Sequence, residues 1–157
     1  MIVVYGLSMG ASTAINSIGE IPEIDALISM SAYSSWEDAF CDNMTNMGAP
    51  GFYTAMEKPF VKIYTTLKYG VDSFNITPVN EISRIGDKPA LLIHSRGDSQ
   101  IPYQSFERIV ANAPPQVETW VREGDLHFIV ENGNFENPQK DTEYAKHIIG
   151  FLNKHFK

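Results

Sequence analysis

The residues best suited to nucleophilic catalysis are a serine, an aspartate and a histidine, each of which follows an apolar run. Ser8 lies in the segment from Gly6 to Gly10 (GLSMG), directly after one such run and before a stretch of small residues. This order is typical of a sharp strand-to-helix turn that lifts the serine hydroxyl above the end of a sheet. The amide of Met9 would then point to where negative charge develops on an attacked carbonyl. A simpler interpretation is a turn serine that only caps the helix.

A serine hydroxyl is a weak nucleophile without a positioned base, and His127 is the candidate for that base. It follows the fourth apolar run, in a loop at the carboxyl end of the predicted sheet, where ligands bind in open α/β folds. His94 ends the third run, and we expect it to bond to the neighbouring loop. His147 and His155 fall in the last predicted helix, where we expect them to be solvated. The alternative for His127 is a loop histidine held by hydrogen bonds.

The base needs an acid that holds its tautomer and stabilises the imidazolium, and Asp98 is the candidate. It lies just past the carboxyl end of the third run, from where its carboxylate could reach His127. Asp125 and Glu123 are rivals, although Asp125 is too near His127 in the chain for a comfortable geometry. The alternative for Asp98 is a turn aspartate ahead of a helix that a proline begins.

Other site chemistries fit the sequence less well. It shows no glycine-rich phosphate loop, HExxH, paired CxxC or EF-hand pattern. Its carboxylate pairs do not lie at two strand ends, which disfavours glycosidase chemistry. The one cysteine, Cys41, can form neither an internal disulfide nor, alone, a zinc site, and we interpret it as an incidental thiol. We therefore expect no metal and no cofactor.

Size and charge limit the classes of protein. The chain has 157 residues, which fits a single domain over 1–157. Its net charge of −7 argues against partners that are nucleic acids or anionic membranes, because both need clustered positive charge. The apolar runs are too short for a transmembrane helix, and the first residues lack the basic region of a signal peptide. We expect a cytoplasmic location.

The apolar pattern predicts the elements that position these residues. Strands are predicted at Ile2–Tyr5, Ala26–Met30, Ala90–His94 and Val117–Val121. Helices are predicted at about Met9–Ile18, Tyr103–Ala111 and Gln139–Phe156. The first three strands are apolar on both faces, as parallel strands covered on both sides are. This alternation predicts a three-layer α/β fold with a mostly parallel sheet and right-handed crossovers.

The segment 33–85 breaks this alternation. It is too long for a single crossover and is rich in aromatic and methionine residues. It forms either a long crossover of ordinary helices with buried aromatic side chains, or a partial cap over an apolar substrate pocket. In the second interpretation Tyr33 and Trp36 would bind substrate.

The sequence resembles the carboxyl-terminal portion of an α/β-hydrolase, in particular bacterial serine hydrolases related to serine aminopeptidases and prolyl-oligopeptidase catalytic domains. The similar segments run through nearly the whole chain: 4–11, 31–35, 89–94, 98–102 and 124–127. The resemblance implies that Ser8 is the nucleophile, Asp98 the acid, His127 the base and Met9 one oxyanion donor. Members usually show HGxxD where this chain has HSRGD at 94–98, a minor departure because the spacing holds.

A larger departure is that this chain begins at the strand that leads into Ser8, whereas the family places four or so strands before it. Those elements carry the loop that gives the other oxyanion amide, and losing one such donor typically costs 10²–10³ in turnover. The chain by itself could therefore be a weak catalyst. An apolar strand without a partner also invites pairing. We expect self-association through the edge strand Ile2–Tyr5, or a complement from another chain or an upstream region.

Two functions from different classes follow. The first is a serine hydrolase that cleaves small carboxylic esters, or less readily amides or thioesters, through an acyl-Ser8 intermediate. The second is a non-catalytic α/β module or interaction protein that keeps the three residues as a relic.

Overall fold

In the computed structural model, residues 1–131 and 136–156 are described. Their strands are β1 (Val3–Leu7), β2 (Ala26–Met30), β3 (Ala90–Ser95) and β4 (Glu118–Arg122). Their α-helices are α1 (Met9–Ile18), α2 (Trp36–Asn46), α3 (Gly51–Tyr69), α4 (Pro78–Glu81), α5 (Tyr103–Val110) and α6 (Thr142–His155). Short 3₁₀ turns lie at Val71–Phe74, Ile82–Arg84 and Pro138–Lys140. Each predicted strand is found, with bounds that differ by at most two residues.

The strands form one parallel sheet in the order β1-β2-β3-β4. Leu7 lies opposite Met30, and Met30 lies opposite Ile93. Because the strands run the same way, the residues that follow them meet at one edge of the sheet. Ser8, Asp98 and His127 all belong to segments that leave this edge.

Helices cover both faces of the sheet, which confirms the three-layer α/β fold. On one face β2 and β3 pack against α1 and α5 in a core that includes Ile15, Ile18 and Ile109. On the other face they pack against α6 through Phe151. Every residue of β2 and β3 is buried, as expected for strands covered on both sides.

The last helix begins later than the pattern predicted because Asp141 caps it. The Asp141 carboxylate accepts a hydrogen bond from the Tyr144 amide at 3.1 Å. The expectation that both histidines of this helix are solvated holds only in part, because both are half-buried. The ring of His147 stacks on Trp120 with centroids 4.1 Å apart, and Nε2 of His155 donates to Glu118 at 2.6 Å. Both lie on the side of α6 that borders β4.

Helices α2 and α3 form a hairpin that is fastened to the rest of the fold by charged groups. Arg108 of α5 donates to Asp42 of α2 at 2.8 and 3.1 Å. Asp38 of α2 accepts from Ser34 at 2.7 Å and from Lys58 of α3 at 2.5 Å. Burial raises the pKa of Asp38, but the bonds from Lys58 and Ser34 and the charge of Arg108 outweigh it and lower the pKa. The ionised carboxylate therefore anchors both helices.

The large aromatic and methionine side chains of this hairpin are mostly exposed. Trp36 is 57% exposed, Phe40 50% and Phe60 64%. The interpretation of the segment 33–85 as a crossover with buried aromatic side chains is therefore wrong for these residues. Its role as a partial cap remains a prediction.

Candidate active site

Ser8 occupies a strained turn between β1 and α1. Its φ is +55°, a left-handed conformation that few residues other than glycine adopt, and its amide donates to the carbonyl of Met30 at 2.8 Å. A Cβ at position 6 would lie 2.6 Å from the Cα of Ala11, so strand and helix approach too closely there for any side chain. At Gly10, by contrast, a Cβ would meet nothing within 4 Å, so of these two glycines the close approach requires only Gly6.

The Ser8 side chain is turned toward a histidine rather than toward its own helix. It makes no capping hydrogen bond to α1 within the described residues. Instead, Oγ donates to Nε2 of His127 at 3.0 Å. The opposite ring nitrogen, Nδ1, donates to the Asp98 carboxylate, at 2.8 Å to Oδ2 and 3.1 Å to Oδ1. The structure thus brings the three predicted residues into one hydrogen-bonded series.

The Asp98 carboxylate is buried and held in place by its own loop. It is 5% exposed, and Oδ1 accepts hydrogen bonds from the amides of Gln100 and Ile101, both at 2.9 Å. Burial raises its pKa, but the bonds from His127 and Ile101 outweigh burial and lower the pKa below the usual range. An anionic carboxylate at this place fixes the Nδ1–H tautomer and stabilises an imidazolium.

The two rival acids have other partners. Asp125 accepts a hydrogen bond from the Ser99 amide at 2.9 Å and so joins the loop of the acid to the loop of the histidine. Glu123 is exposed and pairs with Nε of Arg96 at 3.1 Å. Asp98 is therefore the carboxylate that contacts the ring of His127.

His94 lies beneath the acid loop, and its predicted bond to that loop is confirmed. Its Nε2 donates to the carbonyl of Ile101 at 2.9 Å. Its Nδ1 is buried with no partner among the described residues, and burial lowers the pKa of the ring. A neutral His94 therefore supports the same residue, Ile101, whose amide binds Asp98.

Two buried serines hold the histidine loop, and the sequence analysis missed both. Ser31, directly after β2, donates from Oγ to the carbonyl of His127 at 2.6 Å. Ser95, the last residue of β3, donates to the carbonyl of Gly124 and accepts from the Leu126 amide at 3.1 Å. Both serines lie at the ends of adjacent predicted strands, and this position could have pointed to them. Side chains at that edge of the sheet face the loops that follow the strands.

Met9 follows Ser8 in the chain, and Tyr33 is hydrogen-bonded to the helix that begins there. Met9 is the first residue of α1, so its amide lacks an acceptor within the helix. The Tyr33 backbone is fixed to α1, since its amide donates to Oγ of Ser12 at 3.0 Å and the same Oγ donates to its carbonyl at 3.2 Å. The ring of Tyr33 contacts Trp36 with centroids 5.4 Å apart.

An apolar groove of about 360 Å³ lies between α2 and α3. It is lined mainly by Trp36, Phe40, Phe60, Val61, Tyr64 and Tyr69. Neither Ser8 nor His127 lines it. Trp36, at one end of the lining, contacts the ring of Tyr33.

Residues 1–131 and 136–156 contain no group of three histidine, cysteine or acidic side chains that could hold a metal ion. In the same part of the chain, no helix has the length and apolar character needed to cross a membrane.

Comparison with solved structures identifies the fold. An esterase of Pyrococcus furiosus matches 99% of this chain with a TM-score of 0.57 and 24% sequence identity. An acylaminoacyl peptidase of Pyrococcus horikoshii matches 97% of this chain with a TM-score of 0.66 and 18% sequence identity. The esterase domain of a Rhodothermus marinus protein matches 98% with a TM-score of 0.62 and 12% identity. The chain spans 54%, 23% and 60% of those three chains, respectively.

Neither a protein-family model nor a curated protein matches the sequence. The solved structures are similar across the whole parallel sheet and its helices, which agrees with the resemblance carried by the sequence segments. Over the length that it spans, this chain has the fold of the α/β-hydrolases.

Proposed function

We propose that the chain is a serine hydrolase that cleaves carboxylic esters through an acyl-Ser8 intermediate. The observation that carries the proposal is the series of hydrogen bonds from Ser8 Oγ to His127 Nε2 at 3.0 Å and from His127 Nδ1 to Asp98 at 2.8 Å. A nucleophile, a base and an orienting acid in this order are what a serine hydroxyl needs to attack a carbonyl. Esterases among the similar structures support the choice of an ester.

In the proposed reaction, Ser8 Oγ attacks the ester carbonyl carbon while His127 Nε2 accepts the hydroxyl proton. The carbonyl oxygen becomes an oxyanion, to which the Met9 amide donates. The tetrahedral intermediate then breaks its bond to the leaving alcohol, and the imidazolium returns the proton to that alcohol. His127 next takes a proton from water, the hydroxide attacks the acyl-Ser8 carbon, and the carboxylic acid leaves as Ser8 regains its proton.

Asp98 acts through the ring of His127 in both half-reactions. Each half-reaction passes through an imidazolium, and the buried carboxylate 2.8 Å from Nδ1 stabilises that charge. The lowered pKa of Asp98 keeps this carboxylate ionised at neutral pH. The Gln100 and Ile101 amides hold its position, so the ring needs little reorganisation between steps.

For the acyl group we propose binding by Tyr33 and Trp36. Tyr33 is fixed against the helix that begins after Ser8, and Trp36 extends the apolar surface from Tyr33 into the groove between α2 and α3. An apolar acyl chain would lie along these rings. Truncation by Trp36→Ala should then raise KM for a longer acyl ester while KM for the acetyl ester stays unchanged.

Covalent labelling by a fluorophosphonate tests the proposal. The probe should label the wild-type chain, fail to label Ser8→Ala and label His127→Ala at least a hundredfold more slowly. The exposed Ser83 offers a matched control, since Ser83→Ala should label like wild type. Hydrolysis of p-nitrophenyl esters should follow the same order, and an aminoacyl p-nitroanilide should react more slowly. Labelling that survives Ser8→Ala would contradict the role of Ser8 as nucleophile, and no labelling of folded wild-type protein would favour a non-catalytic module.

A further inference from the structure

Helix α3 presents an apolar stripe to solvent. Its side chains at Tyr53, Met56, Phe60, Ile63 and Leu67 recur at alternating intervals of three and four residues and are 53%, 64%, 64%, 55% and 83% exposed. Residues with this spacing fall on one face of a helix. We call these five residues the α3 stripe. Most amphipathic helices turn such a face toward a core.

A different, more polar side of α3 packs on α2, and Phe60 lies where the stripe meets the groove between the two helices. Thr54 is 5% exposed, and its carbonyl accepts a hydrogen bond from the Cys41 thiol at 3.2 Å. Lys58 pairs with the largely buried Asp38 at 2.5 Å. These contacts fix the rotation of the helix, so the α3 stripe cannot turn inward without breaking them.

The stripe is large enough to be an interface. Phe52 and Tyr64 flank it and are 69% and 59% exposed. At roughly 200 Å² for a large apolar side chain, the seven exposed residues offer on the order of 900 Å². A typical monomer exposes no apolar patch above about 600 Å², and a stable interface buries about 800 Å² on each partner.

We propose that the α3 stripe is a self-association surface on which the α3 helix of a second copy docks. Side chains with alternating three- and four-residue spacing leave gaps into which the side chains of a second helix can insert. The stripe therefore suits another helix better than it suits a flat surface. A second copy always supplies a helix with the same spacing, and a two-fold contact joins identical patches. The net charge of −7 opposes the main rival occupant, an anionic lipid surface.

The test is the mass of the folded chain in solution, measured by light scattering during size-exclusion chromatography. Wild type should be a dimer at micromolar concentration, whereas Ile63→Glu and Leu67→Glu should be monomers. Ala55 is exposed on the same helix but lies off the stripe, so Ala55→Glu should remain a dimer. All the substituted side chains are exposed, so circular dichroism should be unchanged.

A cysteine at the centre of the stripe gives a second measurement that does not depend on charge. Phe60 would face its counterpart in a parallel or an antiparallel pair, so Phe60→Cys with Cys41→Ser should form an intermolecular disulfide. Ala55→Cys with Cys41→Ser should not. The proposal is wrong if wild type is a monomer. It is also wrong if the Ile63→Glu variant stays a dimer and adding Ile2→Lys, at the β1 edge, converts that dimer to a monomer. It is also wrong if wild-type chain floats with phosphatidylglycerol vesicles and Ile63→Glu does not.

Discussion

Backbone strain collects around the residues of the proposed site. Among the described residues, the positive φ values outside glycine are those of Ser8 at 55°, Ser31 at 54° and Ile129 at 68°. Ser8 carries the proposed nucleophilic hydroxyl, and Ser31 binds the carbonyl of His127. Ile129 lies two residues after His127, where the chain turns. Strained residues persist where the surrounding structure over-determines them, which is common where side chains must be held in one geometry.

Ser31 offers a test of how the histidine is positioned. Ser31→Ala removes the bond to the His127 carbonyl and leaves that carbonyl unpaired, so kcat should fall about tenfold and stability by about 1–3 kcal/mol, with KM little changed. Ser31→Gly also lacks the hydroxyl but accepts the positive φ without strain. It should therefore be more stable than Ser31→Ala and equally slow. Esterase kinetics and urea unfolding check both variants, and a Ser31→Gly enzyme with wild-type kcat would contradict the positioning role.

Sequence reasoning predicted Ser8, Asp98 and His127 as site residues because each follows a strand that the apolar pattern predicts. In a parallel sheet, that order alone brings residues to one edge. The supporting serines Ser31 and Ser95 were not predicted. A single serine at the end of an apolar run forms no repeating pattern, so the sequence does not distinguish it from an ordinary turn residue. Ser31 and Ser95 become recognisable once the histidine loop is placed above them.

At the scale of elements, the two glycines that flank Ser8 provide a matched pair. Gly6→Ala would place a Cβ against the backbone of Gly10 and Ala11, so it should cost about 1–3 kcal/mol of stability and displace Ser8. Gly10→Ala fills open space in a helix and should add up to about 1 kcal/mol. Thermal unfolding and fluorophosphonate labelling of both variants check this. If the two variants lose equal amounts of stability, the close approach of β1 and α1 is not the reason that position 6 needs glycine.

Asp141 links the stability of α6 to pH. Burial raises its pKa, but hydrogen bonds from Arg122 and from the Glu131 and Tyr144 amides outweigh burial and lower the pKa to about 2. Because the folded pKa lies below the unfolded value, the stabilisation is complete above about pH 4 and is lost as pH falls toward 2. Stability measured by urea unfolding should decline across that window, and the decline should be smaller in Asp141→Asn. If the stability of Asp141→Asn falls with pH as steeply as that of wild type, the acid sensitivity comes from other carboxylates.

Helix α3 shows where sequence reasoning stops at this scale. Amphipathic spacing indicates that one face will be covered, but the spacing is the same whether the cover is a core, a substrate or another chain. The segment 33–85 was therefore open to more than one interpretation. The ion pair between Lys58 and Asp38, which turns the apolar stripe outward, joins residues on two helices whose packing the sequence pattern does not specify.

At the scale of the whole molecule, the net charge of −7 affects which esters reach the site. A negative field repels anionic substrates during encounter, and salt screens it over about 8–10 Å at ordinary ionic strength. For two esters with the same acyl chain, one neutral and one with a carboxylate in the leaving group, kcat/KM should be several-fold higher for the neutral ester at low salt. The ratio should approach the intrinsic reactivity ratio in 0.5 M NaCl. A preference that does not change with salt would assign the discrimination to contacts in the pocket rather than to the field of the protein.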